Sequence, residues 1–252
     1  MTEGLNARQQ RILDRLQIER EVKIAELKEM FGVTEMTLRR DLEKLEAAGN
    51  IRRTFGGAIF VGRDVALQER FGIMTEAKLQ IGKKAAGLIQ PGESVYLDAG
   101  TTTLQVARYL PPAFPVTVVT NAVNIAAELM GKQIPTIVTG GVLVEQTAAL
   151  TGPITEKSLS GMAFDRAFLG ATGVHRAHGF SNSNMLEAEI KKLAIKQSKE
   201  TNIVMDGSKF GAQVLFSFAG LSDASRIVTD RLPDDELLTA CREAGVELLT
   251  AP

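Results

Sequence analysis

Residues 33–45 read Val33-Thr34-Glu35-Met36-Thr37-Leu38-Arg39-Arg40-Asp41-Leu42-Glu43-Lys44-Leu45. Thr34 is a residue type that caps helix N-termini. Leu38, Leu42 and Leu45 recur at i, i+4 and i+7, so the spacing predicts a helix from Thr34 through Ala48 with those leucines buried. The opposite arc carries Met36, Thr37, Arg40 and Lys44, with Arg39 on its flank. Two shorter helices precede this one. The first begins near Asn6 and buries Ile12, Leu13 and Leu16. The second covers residues 24–31, turns Ile24, Leu27, Met30 and Phe31 inward, and stops at Gly32. After the third helix, Ile51 to Phe55 and Gly56 to Phe60 make two short apolar runs about a Gly-Gly turn, the pattern of a hairpin. Three helices and a hairpin within residues 1–60 outline a winged helix-turn-helix.

The exposed arc of the third helix has the chemistry of a DNA reader. Recognition helices reach base edges with their N-terminal residues, where Thr37 and Arg40 lie. Arginine can grip guanine with two hydrogen bonds, and Met36 is either a contact for a thymine methyl or merely an exposed residue. Arg39, Lys44, Arg52 and Arg53 are placed to meet phosphates from the helix flank and the wing. The competing reading is a solvated face on which Arg39 and Arg40 pair with Asp41 and Glu43. Total charge does not choose between them: 29 basic against 30 acidic side chains leave a net charge of −1. The case for DNA rests on where the charges sit.

Beyond residue 60 the texture changes. Residues 61–74 read as a linker, and 75–252 alternate short Val/Ile/Thr-rich runs with helical stretches. Strands are expected at 94–97, 116–120, 135–139, 166–170, 202–205, 226–229 and 247–249. Helices are expected at 76–89, 102–110, 121–130, 184–200 and 234–244. Such alternation predicts an α/β domain with a mainly parallel sheet. One cysteine, Cys241, excludes an internal disulfide framework. Two histidines, His175 and His178, lie in a glycine-flanked turn and make a poor metal site. Cys241 reads as a small buried hydrophobe. The cluster Glu187, Glu189, Lys191 and Lys192 reads as a solvated helix face. No apolar run approaches the length of a membrane span, and the first residues lack a secretory pattern, so the expectation is a cytoplasmic protein with no membrane partner.

Four loops follow predicted strands, the position at which open α/β sheets bind ligands. The first is Asp98-Ala99-Gly100-Thr101-Thr102-Thr103, where a strand gives way to a helix. A helix N-terminus offers free N–H groups and a positive dipole end, Gly100 permits close approach, and three hydroxyls add donors, a combination suited to phosphate. Asp98 suits sugar hydroxyls. Thr120-Asn121, Thr139-Gly140-Gly141 and Asp206-Gly207-Ser208-Lys209 supply the others, with Lys209 as the positive charge. The plainer alternatives are that Thr101 or Thr102 is only a helix cap and Lys209 only a solvated loop residue.

Residues 33–45, with Arg8-Gln9-Gln10-Arg11-Ile12-Leu13 upstream and Arg52-Arg53-Thr54-Phe55-Gly56-Gly57-Ala58 downstream, closely resemble the signature of the DeoR family of bacterial repressors. The four strand-end loops, together with Asp165-Arg166-Ala167-Phe168-Leu169-Gly170-Ala171 and Gly179-Phe180-Ser181, resemble that family's effector-domain blocks, so the likeness spans nearly the whole chain. It implies a winged helix-turn-helix joined to a larger α/β domain similar in fold to sugar-phosphate isomerases and CoA transferases. It also implies repression of a carbohydrate-use operon, release from DNA by a phosphorylated sugar, no cofactor, and no catalysis. Carried over as effector-site residues are Asp98, Gly100, Thr101, Thr102, Asn121 and Lys209, with Asp165 as readily structural. The loop at 179–184 is a candidate for choosing the sugar. Near-palindromic operators imply a homodimer or homotetramer. The alternative function is an isomerase in which Asp98 and Lys209 move protons, but no second acid–base partner is evident.

Overall fold

The chain divides into two compact units, Met1–Arg63 and Asp64–Pro252. The structure, a computed structural model, describes residues 5–19, 21–47, 51–54, 56–60 and 74–251. Most of the expected linker, 61–73, therefore lies outside the described residues, as do Ala48 and Phe55.

In the first unit, α1 (Ala7–Glu19), α2 (Ile24–Phe31) and α3 (Glu35–Ala47) pack around a core that includes Ile12, Leu16, Leu27, Leu38, Leu42 and Leu45. Asn6 opens α1 through a reciprocal cap: its side chain accepts from Gln9 N at 2.9 Å while Gln9 Oε1 accepts from Asn6 N at 3.0 Å. Thr34 caps α3, accepting from Thr37 N at 3.3 Å. Met30, expected inside, is exposed. The hairpin strands β2 (Ile51–Arg53) and β3 (Gly57–Phe60) are joined by β1 (Glu21–Lys23), giving an antiparallel sheet in the order β1-β3-β2. A three-residue strand leaves almost no periodic trace, so β1 went unpredicted. Gly57 makes its pairing possible, because a Cβ there would stand 1.8 Å from Val22 O.

The second unit carries a seven-stranded parallel sheet in the order β15-β14-β12-β9-β4-β5-β6. Its members are β4 (Ser94–Leu97), β5 (Thr117–Thr120), β6 (Thr136–Val138), β9 (Phe164–Leu169), β12 (Ser198–Val204), β14 (Arg226–Thr229) and β15 (Glu247–Thr250). These are the seven predicted strands; β4 and β14 keep their predicted ends and the other five shift. One face, with Val95, Leu97 and Val118, packs against α4 (Thr75–Ala86), α5 (Thr101–Tyr109) and α6 (Val123–Met130). The other, with Tyr96, Ala167 and Ile203, packs against α7 (Pro153–Ser160), α8 (Met185–Lys196) and α9 (Asp235–Glu243). Short elements escaped the sequence pattern: α7, the hairpin β7 (Val142–Val144) and β8 (Ala149–Thr151), and the small sheet of β10 (Gly173–His175), β11 (Gly179–Asn182) and β13 (Phe216–Ala219).

Helix α8 stops four residues before the expected end at Glu200. Ser198 and Glu200 instead pair with Phe164 and Arg166 of β9. Tertiary pairing overrides helix propensity here, and charge reinforces it. Arg166 bonds both Glu93, at 2.9 Å, and Glu200, while Arg226 bonds Glu200 and Glu247, the latter at 2.8 Å. This ladder of alternating charge ties four strands and the residue before β4 together. His178, seen in sequence only as a turn histidine, fixes a loop through Nε2 and Val214 O at 2.9 Å. Cys241 is buried, and burial pushes its thiol pKa up.

Candidate DNA-reading face and effector site

Helix α3 presents its two faces as the leucine spacing dictates. Met36, Arg39, Arg40 and Lys44 are exposed, and Thr37 is half-buried. Asp41 is not part of a solvated face: it is buried, accepting from Arg8 Nε and Gln9 Nε2 at 2.7 Å each, and so locks α3 onto α1. The cations differ in their engagement. Arg39 Nη2 pairs with Glu35 at 2.7 Å. Arg53 bonds Glu46 and Glu43 at 2.7 Å, tying the wing to α3, and those carboxylates raise its pKa. Among the described residues, Arg40 and Lys44 make no ion pair within 4 Å. Thr34 is drawn into its cap and its hydroxyl lies 2.9 Å from that of Thr37. The Arg52 side chain lies outside the described residues.

In the second unit the chain runs from β4 to β5 and β6 in one direction, then returns to place β9, β12, β14 and β15 on the other side of β4. The winding reverses between β4 and β9, and such a switch point opens a crevice at the strands' carboxyl ends. Asp98 follows β4 and Gly170 follows β9. Alternation along β4 sends Tyr96 and Asp98 toward α8 and leaves Leu97 facing α5.

Asp98 meets a partner that sequence reasoning had assigned to solvent. Lys191 of α8, 2% exposed, forms a buried ion pair with Asp98 Oδ2, which also accepts from Gly170 N at 3.2 Å. Glu187, one turn earlier, is also buried. It accepts from the Thr147 hydroxyl at 2.5 Å and from Asn182 Nδ2 at 3.1 Å. The expectation of a solvated face is thus wrong for Glu187 and Lys191 and right for Glu189 and Lys192, which pair at the surface. The signal was present: Ile190 and Ala194 share the i+3, i+4, i+7 stripe with Glu187 and Lys191, so all four face inward. Tyr96 completes the cluster. Burial, then the charges of Asp98 and Glu187, push its phenol pKa far up, so it stays protonated and donates to Asn121 Oδ1 at 2.9 Å.

The other predicted residues separate into two groups. Gly100, Thr101, Thr102 and Thr103 form the start of α5, all buried, and the Thr103 hydroxyl donates to Gly100 O at 3.1 Å. A helix start leaves its first N–H groups without intrahelical acceptors. Lys209 is half-buried in the loop after β12. Burial pushes the neighbouring Asp206 carboxyl up, but Lys209, the Ser208 hydroxyl and the buried Lys78 of α4 outweigh it and hold the pKa below the usual carboxylate range. Lys78 was missed because it stands far from the 206–209 loop in the chain, in a stretch read only as helix.

The second group is structural. Asn121 spends its side chain between Tyr96 and Leu150 O, the latter at 3.1 Å. Gly141, at φ +125°, leaves room for Thr155, whose hydroxyl would lie 2.1 Å from a Cβ there, and Gly140 O accepts from that hydroxyl at 2.7 Å. These contacts seat α7 against the loop. Residues 179–182 form buried strand β11, with Asn182 holding Glu187, and Asn184 caps α8. One further residue stands out: both amide atoms of Asn124, in the first turn of α6, are buried and have no hydrogen-bond partner among the described residues, a state that costs about 1–3 kcal/mol per group until a ligand or water answers it.

Asp165 is structural. Lys199, at 2.7 Å, and then the Ser94 amide and hydroxyl, each at 2.8 Å, hold its carboxyl well below the usual carboxylate range. A depressed folded pKa contributes stability that is full above the unfolded value of about 3.9 and is lost as pH falls. Thermal midpoints across acid pH should therefore fall less steeply below about pH 4 for Asp165→Asn than for the parent chain, while at pH 7 the variant is the less stable. Parallel profiles would remove this carboxylate from the acid response.

Two family models match the chain. The DeoR-like helix-turn-helix domain matches residues 8–63, and the DeoR C terminal sensor domain matches residues 73–231. An HTH-type transcriptional regulator of Bacillus subtilis, FruR, is 38% identical over 227 residues, covering 88% of this chain and 90% of its own length. The HTH-type transcriptional repressor GlcR of the same organism is 34% identical over 242 residues, covering 94% and 93%. Ribose 5-phosphate isomerase A from Methanocaldococcus jannaschii aligns at a TM-score of 0.41 and 19% identity, over 54% of each chain. No described helix is long and apolar enough to cross a membrane.

Proposed function

The chain belongs to the DeoR family of DNA-binding transcriptional regulators, and on that premise we propose that it represses a carbohydrate-utilisation operon from the cytoplasm and leaves its operator when a phosphorylated sugar binds the α/β unit. The observation that carries the effector half is the start of α5, with Gly100 and three threonines, set at the switch point beside the buried Asp98–Lys191 pair. Free helix N–H groups favour a dianion. Lys209 adds charge from the end of β12, beyond β9 in the sheet, and Asp98 and Asn124 supply polar atoms for hydroxyls. On the DNA side, Met36, Thr37 and Arg40 meet bases, and Lys44, Arg39, Arg52 and Arg53 meet phosphates. The relative named a repressor of transcription supports the sign of the response.

The closed state of the site supplies a physical reason for switching. Asp98, Thr101, Thr102 and Thr103 are at most 8% exposed, so a ligand must bind a more open form. Binding one conformation better than another shifts the population toward it. A thermal-shift panel of sugar phosphates, each paired with its unphosphorylated sugar, tests this reading. The expected hit requires the phosphate and shrinks in Lys209→Ala. Equal shifts from sugar and sugar phosphate would contradict the assignment of α5.

A further inference from the structure

Lysine is almost never buried without an electrostatic reason, yet Lys78 of α4 is only 6% exposed. The packing of α4 shows where its charge goes. A Cβ at Gly82 would stand 2.3 Å from Gln105 Cβ, so the bare backbone of α4 lies directly on α5. Helix α4 leads into β4 and α5 leaves it, on the same face of the sheet. The two helices therefore run in the same direction, and both start at the carboxyl ends of the strands. Lys78 stands one turn before Gly82, and Thr101 one turn before Gln105. At about 5.4 Å per turn, the Lys78 stem is level with the first turn of α5. The same lysine brings its charge to Asp206, at the end of β12. It thus spans the gap that β9 leaves between β4 and β12.

A second buried group is directed to the same place. Gln105 is 4% exposed, and its Oε1 has no hydrogen-bond partner among the described residues. Helical side chains lean toward the N-terminus of their own helix, so this amide is turned back along α5 toward Thr101 and Lys78. Neither Met74 nor Gly100 caps its helix with a side chain, which leaves the first N–H groups of both α4 and α5 without that acceptor.

We propose that Lys78 is a phosphate-binding residue of this site: its ammonium, the N–H groups that open α5 and the Gln105 amide together take the phosphoryl group of the effector. The inference rests on the α5 reading above and adds the cation that stands beside it. Lys209 comes from the end of β12 and is half-buried, whereas Lys78 is carried on the helix that touches α5. Attraction between charges strengthens as water is excluded, so the buried lysine contributes more than Lys209. The Gln105 amide can offer its NH2 to a phosphate oxygen or its carbonyl oxygen to a hydroxyl.

The test is the phosphorus-31 resonance of inorganic phosphate, and of the panel's sugar phosphates, in the presence of the full chain. The parent chain is expected to broaden the line. Lys78→Met should weaken that binding by roughly tenfold or more, as for a lost hydrogen bond to a charged group, and Lys209→Ala by less. Gln105→Met should also weaken it. Lys192→Ala, whose ammonium pairs with Glu189 at the surface, should match the parent. A lysine that serves only to balance Asp206 would give a Lys78→Met chain with an altered thermal midpoint and unchanged broadening, and that result overturns the proposal. Should Lys78→Met not fold, parent-like broadening in Gln105→Met overturns it instead. A parent chain that broadens no phosphorus line removes the α5 reading and this proposal together. Broadening that survives in folded Lys78→Met removes Lys78 alone.

Discussion

Lys191→Met is expected to destabilise the α/β unit by about 3–5 kcal/mol, the range seen when one partner of a buried ion pair is removed. Asp98 would remain 2% exposed with only the Gly170 amide beside it, and its carboxylate would have to protonate or draw in water. In a unit of this size the loss appears as a fall of about 10 °C in the thermal midpoint. The double variant Asp98→Asn, Lys191→Met should recover most of it, because neutralising both partners leaves no orphan charge. A single variant within about 1 kcal/mol of the parent chain would show that the pair is solvated, and the buried polar centre described above would not stand.

Arg40→Ala is expected to weaken binding to a selected operator by about 1–3 kcal/mol, roughly 5- to 150-fold, and to relax preference at one base position. Sugar-phosphate binding should not change, because Arg40 belongs to the other compact unit. Arg39→Ala and Arg53→Ala should cost less. Their guanidinium groups already hold Glu35, and Glu43 with Glu46, so a DNA phosphate gains only the difference between two anions. Lys44→Ala should reduce affinity on all sequences alike and lower the salt slope by about 1. Equal losses on operator and random duplex for Arg40→Ala would reassign that residue to the backbone.

How much of this was legible in sequence follows from the length scale of each signal. The leucines of α3 and the seven sheet strands repeat a strong pattern, and all were readable. Strand β1 and the β7–β8 hairpin span three residues per strand, too few for periodicity to register. Lys191 is the instructive miss. It was read by its charge, whereas its helical phase with Ile190 and Ala194 placed it inside, and only the partner Asp98, 93 residues away in the chain, makes that burial affordable. Gly141 shows a packing role that its sequence does not reveal: Thr155, 14 residues on, occupies the space a Cβ there would need. The strand, glycine and helix start around 94–103 are adjacent in sequence, so that arrangement was legible locally.

In the function proposed above, one chain couples a DNA reader to a sugar-phosphate site. Its most direct test is fluorescence anisotropy of an operator duplex, selected from a random pool, titrated with the full chain at fixed salt with and without the sugar phosphate found by thermal shift. Saturating sugar phosphate is expected to raise Kd by at least tenfold, the unphosphorylated sugar is not, and operator DNA should weaken sugar-phosphate binding by the same factor. An operator Kd unchanged by a sugar phosphate that demonstrably binds would contradict it.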